Sequence, residues 1–349
     1  MKLVVLSLFL SSFVLGKVNK VLNSKGVIWG MDFVNQSIIF TKRSGDLFLY
    51  NLKTKQTKKL VINLPNLIVI GQGGLLDVLV DKDFSKNNFI YLTYSKKIGS
   101  KITVAVIKAK LIDSEIKSAK DIFIAKTDSK KSIHFGSRIR QDRNGDLFVS
   151  IGDRGIREAA QNLKNHHGSI LKIDRNGNPA KGSPFIKNAL PEIYSYGHRN
   201  PQGMYITDSG ELYINEHGPR GGDEINIIKK GVNYGWPEIS YGKEYWGPIS
   251  VGDETKKGME QPLYYYVPSI APSGLIKYSG KLYKSWKDSF FSGALKLKHI
   301  NRLYKDKKGF KEERLEKSLD KRIRSIKENL SGEIFFSTDD GDIYKLLPN

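Results

Sequence analysis

The chain has 349 residues, of which 39% are hydrophobic and 27% charged, so it contains enough apolar material for a packed core. This composition excludes a disordered chain, a collagen-like chain and a coiled coil. The absence of cysteine from the sequence also excludes disulfide bonds, thiolate metal sites and cysteine nucleophiles.

The formal net charge of +21 is compatible with nucleic-acid binding, because basic residues that neutralise phosphates release counterions. Lysine, however, supplies most of the positive charge and is spread along the whole chain. Such a pattern favours a solvated surface, so no nucleic-acid partner is predicted. Arginine is scarcer, and several arginines lie within the motifs described below, where a planar guanidinium suits carboxylate or phosphate recognition.

The chain begins with a segment that is typical of secretory signals. Lys2 is followed by the apolar run 3–14 and by a small-residue cleavage site at Val14-Leu15-Gly16. We expect a signal peptide over residues 1–16 and therefore a periplasmic or secreted protein; a buried first strand is the alternative. The apolar run is shorter than the ~20 residues required to cross a bilayer, and no later stretch is long and apolar enough, so no membrane span is predicted.

A recurring unit, in which Gly or Asn precedes alternating apolar and aromatic residues, occurs six times along the chain. The six copies lie at 45–49, 88–92, 145–149, 210–214, 280–283 and 332–336. Their spacing suits a four-stranded antiparallel sheet with its loops, and no long window shows helical periodicity. The pattern predicts an all-β protein, a single six-bladed β-propeller of four-stranded antiparallel blades over residues 17–349. We expect the ring to close between a C-terminal strand near 343–346 and a strand at 18–22 or 28–33.

Two loop motifs in the first half of the chain carry candidate functional groups. Gln72 lies among glycines in Gly71-Gln72-Gly73-Gly74, where the backbone can approach a ligand while the amide donates and accepts. His134 precedes one repeat strand, and Gly152-Asp153-Arg154-Gly155 follows the same strand. His134 is a candidate general base because imidazole titrates near neutral pH. An ordinary turn and a structural histidine are the alternative interpretations.

The segment 196–224 is the richest in Gly, Pro, His and charged residues. Its glycines and prolines indicate irregular backbone, which frees the carbonyls of Gly218 and Pro219 to act as hard oxygen ligands for calcium. Asp223 and Glu224 either balance the charge of such an ion or cap backbone amides of the loop.

Three cations late in the chain form the last candidate group, Lys296, Arg322 and Arg324. Residues two apart on a strand point to one face, so Arg322 and Arg324 can converge on one target. Paired guanidinium groups suit a carboxylate or a phosphate. A solvated edge strand, which uses charge to resist pairing, is an equally compatible interpretation.

Taken together, these motifs resemble the soluble pyrroloquinoline-quinone (PQQ)-dependent aldose sugar dehydrogenases, the family that includes soluble quinoprotein glucose dehydrogenase. The resemblance runs from about residue 71 to the C-terminus and also includes Asn233-Tyr234-Gly235-Trp236-Pro237 and the segment 268–274. So many irregular segments in the same order are a specific signal. The family folds as a six-bladed propeller, in agreement with the repeat count.

The resemblance implies a quinoprotein oxidoreductase that oxidises aldose sugars at C1 to the lactone by hydride transfer to PQQ. His134 would be the general base, and Arg199 would stabilise negative charge on the quinone oxygen. The residues implied to hold the cofactor are Gln72, Arg199, Asn200, Lys296, Arg322 and Arg324. The carbonyls of Gly218 and Pro219 would hold a Ca²⁺ ion that polarises the quinone. The implied partners are an aldose substrate and an electron acceptor such as a small cytochrome or a quinone.

Three features depart from the glucose-specialised branch of that family. Ile133 stands where that branch has an acidic residue, Ser137 stands where a second glycine is common, and the chain is shorter. These departures favour the broad-specificity aldose branch.

Two further functions are compatible with a propeller. One is a calcium-dependent lactonase, against which the late cationic group argues because it would repel a second cation. The other is a non-catalytic propeller that binds glycans or a protein, since fold does not determine function.

Overall fold

The computed structural model describes residues 17–182, 184 and 188–347. The predicted signal peptide over residues 1–16 lies outside the described residues. Helical structure in the described part is confined to the single-turn helix α1 (Phe84–Asn87) and three short 3₁₀ turns, Arg157–Gln161, Lys284–Trp286 and Lys317–Leu319. No described helix has the length and apolarity that crossing a bilayer requires.

Twenty-four strands of the described chain form six antiparallel sheets of four strands each. The first strand, β1 (Lys17–Asn23), belongs to the last blade. Blade 1 contains β2 (Ile28–Val34), β3 (Ser37–Lys42), β4 (Leu47–Asn51) and β5 (Thr57–Leu60). Blade 2 contains β6 (Leu75–Val80), β7 (Phe89–Ile98), β8 (Lys101–Ile112) and β9 (Glu115–Ile124). Blade 3 contains β10 (Ile139–Gln141), β11 (Leu147–Ile151), β12 (Ser169–Ile173) and β13 (Ile193–Tyr196).

The second half of the ring repeats this arrangement. Blade 4 contains β14 (Pro201–Ile206), β15 (Leu212–Glu216), β16 (Asp223–Ile228) and β17 (Tyr264–Tyr266). Blade 5 contains β18 (Pro272–Lys277), β19 (Phe290–Ala294), β20 (His299–Asp306) and β21 (Gly309–Leu315). Blade 6 contains β22 (Ile323–Glu328), β23 (Ile334–Thr338) and β24 (Asp342–Leu347), with β1 as its outer strand. The prediction of a six-bladed propeller is therefore confirmed.

The apolar core lies between neighbouring blades, because each sheet packs against the next on both of its faces. Phe148 of blade 3 and Met204 of blade 4 share one buried cluster, and Phe291 of blade 5 and Phe336 of blade 6 share another. Strands such as β11 and β23 are consequently buried along their whole length.

The ring closes through the first of the two pairings expected from the sequence. Strand β1 runs antiparallel to β24 with Val18 opposite Leu346, while residues 28–34 form the innermost strand of blade 1. The N-terminal strand thus covers the edge of the C-terminal blade, an edge that would otherwise invite aggregation.

Five of the six sequence repeats begin strands, and the prediction for the fifth repeat, at 280–283, is wrong. The hydroxyl of Tyr278 accepts hydrogen bonds from the backbone N–H groups of Leu282 (3.3 Å) and Tyr283 (3.0 Å), so a side chain satisfies amides that a strand would have paired. The strand of that blade, β19, begins later, at Phe290.

The inner ends of the blades are joined by the fully buried side chain of Arg138. Its Nε donates to the Gln202 carbonyl (2.6 Å), one Nη donates to the Arg324 carbonyl (2.9 Å), and the other lies 3.3 Å from both the Trp29 carbonyl and the Asp77 carboxylate. Because these partners belong to four other blades, Arg138 lies at the propeller axis. Burial lowers the pKa of Arg138 to about 10, against the effect of Asp77, so the group remains charged at neutral pH.

We predict that Arg138→Met lowers the free energy of unfolding by about 3–5 kcal/mol. The substitution removes one of the two guanidinium partners of the buried Asp77, the other being Arg140. It also takes this donor from the buried carbonyls of Trp29, Gln202 and Arg324. Urea unfolding followed by circular dichroism measures this loss. The control is Arg143→Met, which changes an exposed arginine of the same blade. Equal stability of the two variants would show that the central arginine does not join the blades.

Candidate active site

A cavity of about 230 Å³ lies on the propeller axis, and all six blades contribute to its wall. Four residues selected from the sequence line it, namely Gln72, Asn200, Arg322 and Arg324. The other wall residues are Val27, Trp29, Arg43, Phe135, Gln202, His217, Ala271, Leu295 and Asp339. A larger cavity of about 720 Å³, between outer hairpins of blades 1 and 2, contains none of the predicted site residues, so size does not identify the site.

Arg322 and Arg324 converge as their spacing predicts, and they converge on Asp339. Arg322 Nε lies 2.8 Å from Asp339 Oδ2, and Arg324 donates to both carboxylate oxygens at 2.7 and 2.8 Å. Burial opposes ionisation of Asp339, but the two guanidinium groups outweigh burial and lower its pKa. One carboxylate against two guanidinium groups leaves this side of the cavity with net positive charge.

Asp339 was not anticipated from the sequence. It follows β23, whereas Arg322 precedes β22, and the two positions become neighbours only through the antiparallel register that places Ile323 opposite Thr338. The Asp-Asp-Gly run at 339–341 therefore reads as an ordinary turn until that register is known.

Arg199 lies next to the cavity with part of its guanidinium unsatisfied. Its backbone N–H donates to Glu216 Oε2 (2.8 Å), and one Nη donates to the carbonyl of His217 (3.2 Å). Its Nε is buried and has no hydrogen-bond partner among the described residues.

The predicted cation Lys296 is less enclosed than the other candidates. It is exposed and follows Leu295 of the wall, but its side chain is not itself part of the wall.

Contacts with Gln72 and Gly152 hold His134 in an unusual backbone conformation. Its φ of 53° lies in the left-handed region, which costs a residue with a bulky side chain of the order of 1–3 kcal/mol. The Gln72 side-chain oxygen accepts the His134 backbone N–H (2.8 Å), so this amide positions the histidine as well as lining the cavity. A β-carbon on Gly152 would lie 2.2 Å from the His134 carbonyl, so only glycine fits beneath it.

The imidazole of His134 is oriented by Asp153. Nδ1 lies 2.7 Å from Asp153 Oδ1, and Asp153 also accepts hydrogen bonds from Trp236 Nε1 (2.8 Å) and the Gly155 backbone (2.7 Å). An ionised carboxylate only accepts, so Nδ1 carries the proton and the lone pair is on Nε2. The β10–β11 hairpin brings the two residues together, because one precedes β10 and the other follows β11.

Burial lowers the pKa of His134 more than Asp153 raises it, and the nearby charge of Arg199 lowers it further. The imidazole is therefore neutral at pH 7 and can accept a proton at Nε2. His217 of the wall behaves similarly: burial and Arg199 lower its pKa to about 3, and its Nε2 donates to the carbonyl of Pro272 (2.9 Å).

The turn at 217–222 is supported from behind by Asp223. Asp223 accepts hydrogen bonds from the N–H groups of Gly218 (2.9 Å) and Ala271 (2.8 Å) and from the Ser269 hydroxyl (2.5 Å). This residue therefore caps loop amides, one of the two roles expected for it. A β-carbon on Gly218 would lie 2.2 Å from the carbonyl of Gly221, so the turn requires glycine there.

Glu224 is buried behind the same turn, and burial together with Glu216 raises its pKa to about 8. Among the described residues, no group of three or more His, Asp or Glu side chains is placed to hold a metal ion. A cation at this turn would therefore depend on backbone carbonyls such as those of Gly218 and Pro219.

Comparison with known proteins places the chain among sugar dehydrogenases. Residues 26–345 match the model of the family described as glucose/sorbosone dehydrogenase. The chain is 35% identical over 335 residues to the aldose sugar dehydrogenase YliI of Escherichia coli, and the match covers 92% of this chain and 90% of YliI. It is 27% identical over 243 residues to quinoprotein glucose dehydrogenase B of Acinetobacter calcoaceticus, which covers 61% of this chain and 50% of that enzyme.

The structural comparison gives the same result. The crystal structure of the soluble aldose sugar dehydrogenase from E. coli in its apo-form has a TM-score of 0.90 to this chain at 34% identity. The superposition covers 96% of this chain and 100% of the crystallised chain.

We predict that Asp153→Asn lowers the pKa of His134 further, because the substitution removes the carboxylate that favours the charged imidazolium. Titration of the imidazole signals by NMR measures the change. Asp208→Asn, which alters an exposed carboxylate of blade 4, is the control. A pKa of His134 that is unchanged or higher in Asp153→Asn would contradict the assigned contact.

Proposed function

The chain belongs to the glucose/sorbosone dehydrogenase family, and on that basis we propose that it oxidises aldose sugars at C1 to the lactone, with PQQ and Ca²⁺ as cofactors. The observation that carries the proposal is the neutral, carboxylate-oriented imidazole of His134 beside a cavity with cationic walls. An imidazole in this state is a base, and the cationic walls suit an anionic cofactor.

The cavity wall fits the chemistry of PQQ, a flat quinone with three carboxylates. Arg322 and Arg324 supply more positive charge than Asp339 removes, and planar guanidinium groups bind carboxylates with two hydrogen bonds. The buried Nε of Arg199, which has no hydrogen-bond partner within the described part of the chain, is a further donor. We propose that these three arginines, together with Gln72, Asn200 and Lys296, hold the cofactor. When bound, PQQ supplies the acceptor for the hydride that leaves C1.

His134 performs the acid–base part of the proposed reaction. Its Nε2 takes the proton of the C1 hydroxyl while the C1–H bond breaks, so the sugar loses a hydride and a proton and C1 becomes the lactone carbonyl. Asp153 keeps the proton on Nδ1 and stabilises the imidazolium that forms. With the cofactor bound, Arg199 would supply positive charge to stabilise the negative charge that hydride acceptance creates.

The turn at 217–222 is the proposed place for the calcium ion. The carbonyls of Gly218 and Pro219 are hard oxygen ligands, and Glu216 and Glu224 lie beside the same turn. A divalent cation there would favour the ionised form of Glu224, whose pKa is raised to about 8 by burial and by Glu216. Calcium there would act as a Lewis acid towards the cofactor. We further propose a periplasmic or secreted location, with a small cytochrome or a quinone as the final electron acceptor.

A first prediction concerns turnover. Purified protein supplied with PQQ and Ca²⁺ should reduce an artificial dye when glucose or xylose is added, because the base and the cofactor cavity are both in place. The control is the same mixture without PQQ. Absence of dye reduction with every aldose tested would reject the proposed function.

A second prediction concerns the base. His134→Ala should lower kcat by about 10²–10⁴-fold, the usual contribution of a general base, while PQQ binding persists. Because burial lowers the pKa of His134, kcat/KM of the wild-type protein should be flat above the ordinary histidine range and fall only at more acidic pH. An unchanged kcat in His134→Ala would remove His134 from the mechanism.

A further inference from the structure

A short hairpin at residues 243–250, called here the Trp246 hairpin, is fixed beside the cavity. Its base is closed by the pairing of Lys243 with Ser250 and by a hydrogen bond from the Glu244 N–H to the Ile249 carbonyl (2.8 Å). The backbones of Arg220 and Lys243 exchange hydrogen bonds of 3.0 and 3.1 Å. The hairpin therefore extends the turn at 217–222 as an additional pair of short strands.

Two side-chain contacts fix the hairpin to the active-site region. Glu244 forms a bidentate ion pair with Arg157 (2.5 and 2.9 Å), and the hydroxyl of Tyr245 donates to the Pro219 carbonyl (3.2 Å). Pro219 is two residues from His217 of the cavity wall. Arg157 lies 5.5 Å from the ring of Trp236, which donates to Asp153, the residue that orients His134. The Trp246 hairpin is therefore anchored to side chains that surround the candidate site.

The apex of this hairpin presents aromatic surface to solvent. Trp246 is 75% exposed and Tyr245 is 63% exposed, whereas Trp29, Trp236 and Trp286 are buried. Ile249 of the same hairpin is 53% exposed, so the three side chains form an apolar surface on an anchored turn, and such surfaces mark binding sites. The exposed cations Arg220 and Lys243 lie at the base of the same hairpin and can donate hydrogen bonds to hydroxyl groups.

We propose that Trp246 is a sugar-stacking platform that gives the enzyme a preference for aldoses carrying a second sugar ring. The inference rests on the proposed function: the reducing-end ring enters the cavity, and the next ring lies over the indole outside it. The apolar C–H face of a pyranose matches an aromatic face, and the hydroxyls at its edge match Arg220 and Lys243. The cations that flank the exposed aromatic side chains are hydrogen-bond donors to sugar hydroxyls, and a protein docked on this surface is the outcome that the experiment below separates.

The test compares Trp246→Ala with wild type for maltose and glucose. Loss of the stacking face should raise KM for maltose about three- to tenfold, the range expected for one aromatic contact, with kcat unchanged. KM for glucose should change less than twofold, and Trp246→Phe should retain most of the maltose affinity. The control is Leu330→Ala, which removes a 90% exposed apolar side chain from blade 6 and should leave both sugars unaffected. Equal changes for maltose and glucose, or no change for either, would overturn the proposal.

A binding measurement separates this proposal from the proposed function. Maltose should shift the tryptophan fluorescence of the cofactor-free protein, and the shift should be absent in Trp246→Ala. If no aldose is oxidised but this shift occurs, the stacking platform stands and the proposed function fails. A wild-type protein without the shift overturns the platform whatever its activity. So does a Trp246→Ala variant that slows reduction of cytochrome c without changing KM for maltose, since that would assign the aromatic surface to a redox partner.

Discussion

The buried guanidinium of Arg138 is the interaction on which the candidate site depends most. Three of its partners, the carbonyls of Trp29, Gln202 and Arg324, belong to residues that also line the axial cavity. A buried charge must keep its partners, because losing one leaves an unpaired group in a low-dielectric interior. The blades that meet at Arg138 are therefore held in one relative position, and the cavity wall is arranged before any ligand binds.

The positive charge beside the cavity affects both its affinity for anions and the protonation state of His134. Arg199, Arg322 and Arg324 make the cavity region cationic, with Asp339 offsetting part of the charge. The positive charge of Arg199 also lowers the pKa of His134, so a group that we propose to bind an anionic cofactor also helps to keep the imidazole neutral. Asp153 opposes that effect on the pKa, and its main contribution is to hold the proton on Nδ1. In the proposed function, cofactor binding and base strength are coupled through these short-range charge interactions.

The sequence predicted the six-bladed architecture because every blade of a propeller contains a copy of the same local pattern. The exception at 280–283 arose because the hydroxyl of Tyr278, four and five residues earlier in the chain, accepts from backbone amides that the pattern assigned to a strand. The alternation of apolar and aromatic residues does not distinguish this turn from a strand.

Only part of the candidate site could be predicted from the sequence, because several of its contacts depend on strand register. Gln72, Asn200, Arg322 and Arg324 were recognisable by residue type and motif, and they line one cavity. Two carboxylates were not recognisable in the same way: Asp153, which orients His134, and Asp339, which pairs with the two arginines. Both contacts depend on hairpin register and could not be deduced from spacing alone. The Trp246 hairpin was also missed, because its position follows from backbone pairing with Arg220 rather than from any motif.

The most direct measurement is a titration of the purified protein with PQQ in the presence of Ca²⁺, followed by visible absorption before and after addition of an aldose. Binding of the quinone, and its conversion to the reduced spectrum by the sugar in wild type but not in His134→Ala, is the expected result. A protein that does not bind the quinone, or whose bound quinone stays oxidised with every aldose, would contradict the assignment of this cavity to sugar oxidation.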